Sequence, residues 1–111
     1  MTALSTWTAV CAPADLLPGR GVAALLPSGA QVAVFLVADE VHAVSNVDPF
    51  SGAAVLSRGI VGDLGGVPVV ASPMHKQHFD LRTGECVEDR SVSVHVHPVR
   101  VADGVLMVGS P

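Results

Sequence analysis

Positive charge is scarce in this sequence. Six basic residues, Arg20, Arg58, Lys76, Arg82, Arg90 and Arg100, stand against ten Asp and Glu in 111 residues, a formal net charge of −4. They are scattered, so the concentrated basic face that displaces phosphate counterions is missing and no nucleic-acid partner is expected. Long apolar runs are missing as well. The longest, Val32 to Ala38, is far below the roughly 20 residues of a spanning helix, so no membrane partner is expected either. Met1 to Trp7 lacks the basic start and apolar stretch of a secretory signal, and the expected location is cytoplasmic. Cysteine is confined to Cys11 and Cys86, which read as reduced thiols rather than a disulfide framework. Charged residues make up only 14% while apolar ones make up 50%, enough apolar surface to offset chain entropy. One domain over residues 1–111, with a core from about 7 to 108, fits this length.

Gly and Pro cut the chain into short pieces, and the pieces are β-branched. Strands are predicted at Trp7–Cys11, Val22–Leu26, Gln31–Val37, Glu40–Val44, Val67–Ala71, Ser91–Val101 and Val105–Val108, with weaker candidates at Gly59–Val61 and His78–Leu81. Pro27-Ser28-Gly29, Ala38-Asp39 and Asp103-Gly104 suit tight reversals between antiparallel neighbours. Helical periodicity is absent, and only Pro13 to Leu17 could make a short helical turn. The fold class is all-β, an antiparallel sandwich or barrel. In Ser91–Val101 the alternation slips at Pro98, which predicts a bulged edge strand. Two stretches, Ser45 to Gly66 and Ser72 to Gln77, break the pattern, and long irregular loops in small domains usually carry function.

Chemistry-bearing motifs are weak. His95-x-His97 places two imidazoles on one strand face about 7 Å apart, and His75-x-x-His78 lies in a loop. Each pair lacks the third and fourth ligands of a zinc site. No nucleophile elbow, P-loop or dinucleotide fingerprint occurs, and Gly62 to Gly66 reads as a flexible turn. No catalytic residue is expected in this chain.

The segment Ser72-Pro73-Met74-His75-Lys76-Gln77-His78-Phe79-Asp80-Leu81-Arg82-Thr83-Gly84-Glu85 resembles the second cluster-binding loop of Rieske proteins and the strand after it. Asn46-Val47-Asp48-Pro49-Phe50 resembles the first loop. A Rieske [2Fe–2S] cluster takes two thiolates and two imidazoles. At those positions stand Asp48, Phe50 and Ser72, with only His75 matching, so the resemblance implies a Rieske-like antiparallel fold with two cluster-type loops and no cluster. The longer run from Asn46 to Asp63, with Ser72-Pro73 and Lys76-Gln77, is similar to the small subunit of assimilatory NAD(P)H-dependent nitrite reductase.

That resemblance implies a supporting subunit in the reduction of nitrite to ammonium. It implies no cofactor in this chain, with FAD, an iron–sulfur cluster and sirohaem on the large subunit, its partner. The two loops would form the docking face. Pro49, Phe50 and Met74 would give apolar contact, and Asp48, Arg58, His75, Lys76 and Gln77 polar registration. Phe50 could instead fill the space a cluster would occupy. Two alternatives stay open: a Rieske-type ferredoxin-like carrier with atypical ligands, and a stand-alone binding module.

Overall fold

The computed structural model describes residues 6–74 and 76–110. Among these residues ten strands follow one another: β1 (Thr6–Cys11), β2 (Val22–Leu25), β3 (Gln31–Val37), β4 (Glu40–Ser45), β5 (Ile60–Leu64), β6 (Val67–Ala71), β7 (His78–Asp80), β8 (Val96–His97), β9 (Val99–Ala102) and β10 (Val105–Ser110). Among the described residues only two single-turn 3-10 helices, Pro13–Asp15 and Leu56–Arg58, interrupt them. Among the described residues no helix is long and apolar enough to cross a membrane.

The strands form three antiparallel sheets, ordered β1-β10-β9, β2-β3-β4-β8 and β5-β6-β7. The second sheet is the middle layer. Its strand β3 is apolar almost throughout because both faces are covered. Ala33 and Phe35 point into a core with Val44, Leu56, Val70, Phe79, Leu81, Cys86 and Val94. Val32 and Val34 point the other way, into a core with Leu16, Leu26, Ala43, Leu106 and Val108. A run of consecutive apolar residues is what a strand buried on both faces requires.

Two-residue turns set the hairpin registers. Ala38 and Asp39 both take positive φ, 50° and 64°, between the paired residues Val37 and Glu40, the backbone twist that tight hairpins favour. Gly65 and Gly66 do the same between Leu64 and Val67. The Gly62 to Gly66 stretch is therefore corrected: Gly62 and Asp63 belong to β5, and the reversal is confined to two glycines.

The long strand expected over Ser91–Val101 is also corrected. The chain touches Glu85 through Ser93, pairs with β4 through β8, then leaves that sheet at Pro98 and pairs with β10 as β9. Pro98 has no N–H to offer a ladder, and its carbonyl accepts Gly109 N–H at 2.8 Å. The phase slip in the sequence marks a change of sheet rather than a bulge.

Candidate functional site

Both irregular stretches meet beside β7. The first leaves β4 at Asn46, a buried side chain that closes the loop's base. Its Oδ1 accepts Ser57 N–H at 2.7 Å, its N–H donates to Gln31 O at 2.9 Å, and its carbonyl accepts Leu56 N–H at 3.0 Å. Two residues on, Asp48 is fully buried. A buried carboxylate needs donors. Oδ1 accepts Phe50 N–H at 2.8 Å, folding Asp48-Pro49-Phe50 into an Asx turn, and Oδ2 accepts the hydroxyl of Ser72.

Ser72 organises the second stretch. Its N–H donates to Gln77 O and its carbonyl accepts Lys76 N–H, both at 2.9 Å, while Oγ accepts Met74 N–H at 3.2 Å. Lys76 takes a positive φ of 62° to close the curl. Asp48 and Ser72 thus join two loops that share no strand pairing.

The tie leaves apolar side chains outside. Phe50 leans on Phe79, ring centroids 6.2 Å apart, yet remains 37% exposed; Met74 is 51% exposed and Ile60 77%. Ile60 is missed by the sequence reading, since an isoleucine beginning a strand reads as core. Pro49, Arg58 and Lys76 are exposed, and Gln77 is half-buried with Oε1 lacking a hydrogen-bond partner. His75 lies outside the described residues.

His78, though adjacent, is committed elsewhere: its Nδ1 lies 2.6 Å from Glu88 Oε2 and its N–H donates to Oε1 at 2.8 Å. Burial pushes the Glu88 carboxyl up, but the His78 bonds outweigh it and hold the group below the usual carboxylate range. His95 and His97 sit edge to face, 4.6 Å between centroids, beside a cavity of about 500 Å³ also lined by Ser28, Gln31 and Ser45. His97 is buried with Nδ1 3.1 Å from Gly109 O. The two thiols belong to different cores, Cys86 in the one with Phe35 and Cys11 against the other, and burial raises both above the ordinary thiol value. Neither stands in the loops. Among the described residues no three His, Cys, Asp or Glu converge as a metal would require.

Over residues 6–109 the chain matches the family model of the Rieske-like [2Fe-2S] domain. It is 47% identical to the nitrite reductase (NADH) small subunit of Salmonella typhimurium, covering 95% of this chain and 98% of that one. It is also 41% identical to a stretch of the nitrite reductase [NAD(P)H] large subunit of Klebsiella oxytoca, covering 94% of this chain but 11% of that protein. The crystal structure of a nitrite reductase small subunit from Mycobacterium tuberculosis superposes with a TM-score of 0.92 at 56% identity, over 96% of each chain. The ferredoxin of carbazole 1,9a-dioxygenase from Nocardioides aromaticivorans superposes at 0.83 with 27% identity, over 96% of this chain and 100% of that one.

These likenesses correct one expectation. A chain with no cofactor of its own does not follow from its family, which is described by its [2Fe-2S] cluster and shares its fold with ferredoxins, and both point to an iron–sulfur cofactor. The described loop residues do not fit such a cluster's ligand set of two thiolates and two imidazoles. Asp48 and Ser72 spend their oxygens on each other and on loop N–H groups, and Phe50 has no donor atom.

Proposed function

The chain belongs to the Rieske-like [2Fe-2S] domain family and, within it, to the small subunits of NAD(P)H-dependent nitrite reductase, and from that premise we propose that it serves its complex by docking. In this reading the reduction of nitrite to ammonium takes place on the large subunit, and this chain supplies no nucleophile, acid or base to it. The docking face is made by the two loops. Pro49, Phe50 and Met74 are its apolar contacts, Arg58, Lys76, Gln77 and His75 its polar ones, and Asp48 holds it in shape from beneath.

The observation that carries this is the pairing of a rigid base with an exposed apolar top. Asp48, Ser72 and Asn46 are buried and hydrogen-bonded, while Met74 and Phe50 stand out beside them. Exposed apolar side chains on a pre-organised frame are what an interface anchor needs, because little entropy remains to be lost on binding. The Gln77 oxygen without a partner is a further polar group that a neighbour's N–H would satisfy. That a K. oxytoca large subunit contains a stretch like this chain supports the pairing, since the two then occur in one polypeptide. Two free thiols suit the reducing cytoplasm, where we place the complex.

The test is co-elution of purified large subunit with wild-type or Met74→Asp small subunit, read with nitrite-dependent NAD(P)H oxidation. The variant should melt like wild type, because Met74 is exposed, and should lose both co-elution and its support of turnover. Undiminished co-elution would refute the loop face.

A further inference from the structure

Half of the chain's basic side chains are already engaged. Arg82 pairs with Asp80 at 3.3 Å, Arg90 with Glu85 at 3.2 Å, and Arg100 lies over the Trp7 ring, Cζ 4.3 Å from its centroid. The other three, Arg20, Arg58 and Lys76, are exposed, and among the described residues none has an acidic partner. They come from three separate segments, yet the fold gathers them. Arg20 and Arg58 line a depression of about 310 Å³, and Arg58 and Lys76 line a second of about 560 Å³. Arg58 is the wall they share. No Asp or Glu lines either one.

This is a local reversal of sign in a chain of net charge −4. Three uncompensated cations in adjoining depressions make a positive potential that an anionic partner would relieve. Between Arg58 and Lys76 the surface is mostly apolar, formed by Ile60, Ala71 and Pro73, with buried Ser72 and the Glu88-paired His78 completing the lining. A lone inorganic anion would leave Ile60 uncovered at 77% exposure. An extended peptide alternates its side chains, so carboxylates at one spacing can meet the cations while an apolar residue between them covers Ile60.

We infer that Arg20, Arg58 and Lys76 form a cationic track that receives an acidic, extended segment of the large subunit. This rests on the docking reading above and adds two things to it: a residue outside both loops, Arg20, and the sign of the partner's charge. The contribution is of the kind rim charges make, fixing register and speeding encounter, and it weakens as salt screens it.

The experiment measures the affinity of purified large subunit for wild type, Arg58→Glu, the Arg20→Glu/Lys76→Glu pair and Met74→Asp at roughly 50 and 500 mM salt, the range over which screening becomes severe. At low salt both charge variants should bind at least tenfold more weakly than wild type, and the gap should close at high salt, with melting temperatures unchanged. Charge variants that bind like wild type while Met74→Asp does not would overturn the track and leave the docking face standing. A loss equal at both salts would mark a steric fault and overturn the track as well. If Met74→Asp also binds like wild type, both readings fall.

Discussion

Ser72 donates its hydroxyl to the carboxylate of Asp48 across 24 residues of sequence, with both side chains buried. Because Asp48 Oδ1 also accepts Phe50 N–H and Ser72 Oγ also accepts Met74 N–H, this bond ties together the two turns that carry the exposed pair Phe50 and Met74. The placement of these two exposed side chains and the stability of the loops are therefore linked through a shared polar contact.

Ser72→Ala removes one of the donors to a buried carboxylate, which costs about 1–3 kcal/mol. In a domain this small that is a fall in melting temperature of about 4–8 °C per kcal/mol. Asp48→Asn should destabilise too, and the double variant should lose less than the sum, since both changes break the same bond. Additive losses in urea unfolding would show that the two loops are held independently.

Phe50 separates packing from binding. Its ring is partly exposed against Phe79, so Phe50→Ala should cost only about 1–2 kcal/mol of fold stability, half or so of a full side-chain burial. Affinity for the large subunit should drop at least tenfold if Phe50 is an anchor. Phe79→Ala is the contrast: a fully buried ring whose loss should cost about 3–5 kcal/mol. Equal destabilisation by the two substitutions would mean that Phe50 acts as core.

Gly84 takes a φ of 81°, and a Cβ there would run into the carbonyl oxygen of Val94. That carbonyl belongs to the segment whose N–H donates to Gly84 O at 2.8 Å, so it cannot retreat without breaking the contact. Gly84→Ala combines left-handed backbone strain with a clash and should destabilise by more than about 1 kcal/mol. A melting temperature within a degree or so of wild type would contradict it.

Burial pulls the His97 imidazole below its ordinary 6.5, the Gly109 carbonyl opposing and His95 adding to the lowering. As pH falls, the unfolded chain takes up this proton before the folded one does. The contribution is therefore fully present above 6.5 and declines as pH drops from there toward the lower folded value. Asp80 and Glu88, held below 3.8 and 4.5, titrate at lower pH. Urea midpoints from pH about 7.5 to 5.5 should slope downward in wild type and flatten in His97→Asn. An unchanged slope in the variant would exonerate His97.

Much of this molecule is legible in its sequence, for reasons that differ by element. Gln31–Val37 and Val67–Ala71 are found with their observed bounds, because β-branched runs closed by turn residues leave few alternatives. Ala38-Asp39 is recognisable as a reversal although neither is glycine, since Asp tolerates positive φ. The break at Pro98 is visible but not its meaning, because alternation shows that a strand changes phase and not which sheet receives it. The two loops stand out by composition and by family likeness. That Asp48 turns inward toward Ser72, and that Arg20 joins Arg58, depends on chain reversals far from either residue, which no local pattern records.

Strand β3 contributes Ala33 and Phe35 to one core and Val32 and Val34 to the other. The layers on either side cannot come apart in turn, for each would expose a face of the same strand. Amide protons along β3 should exchange with solvent only when the whole molecule opens, more slowly than those of any edge strand. Strand β10 and the β6–β7 layer, packed against opposite faces of this sheet, should therefore share one melting event, so that a lesion in either layer lowers the lifetime of the other.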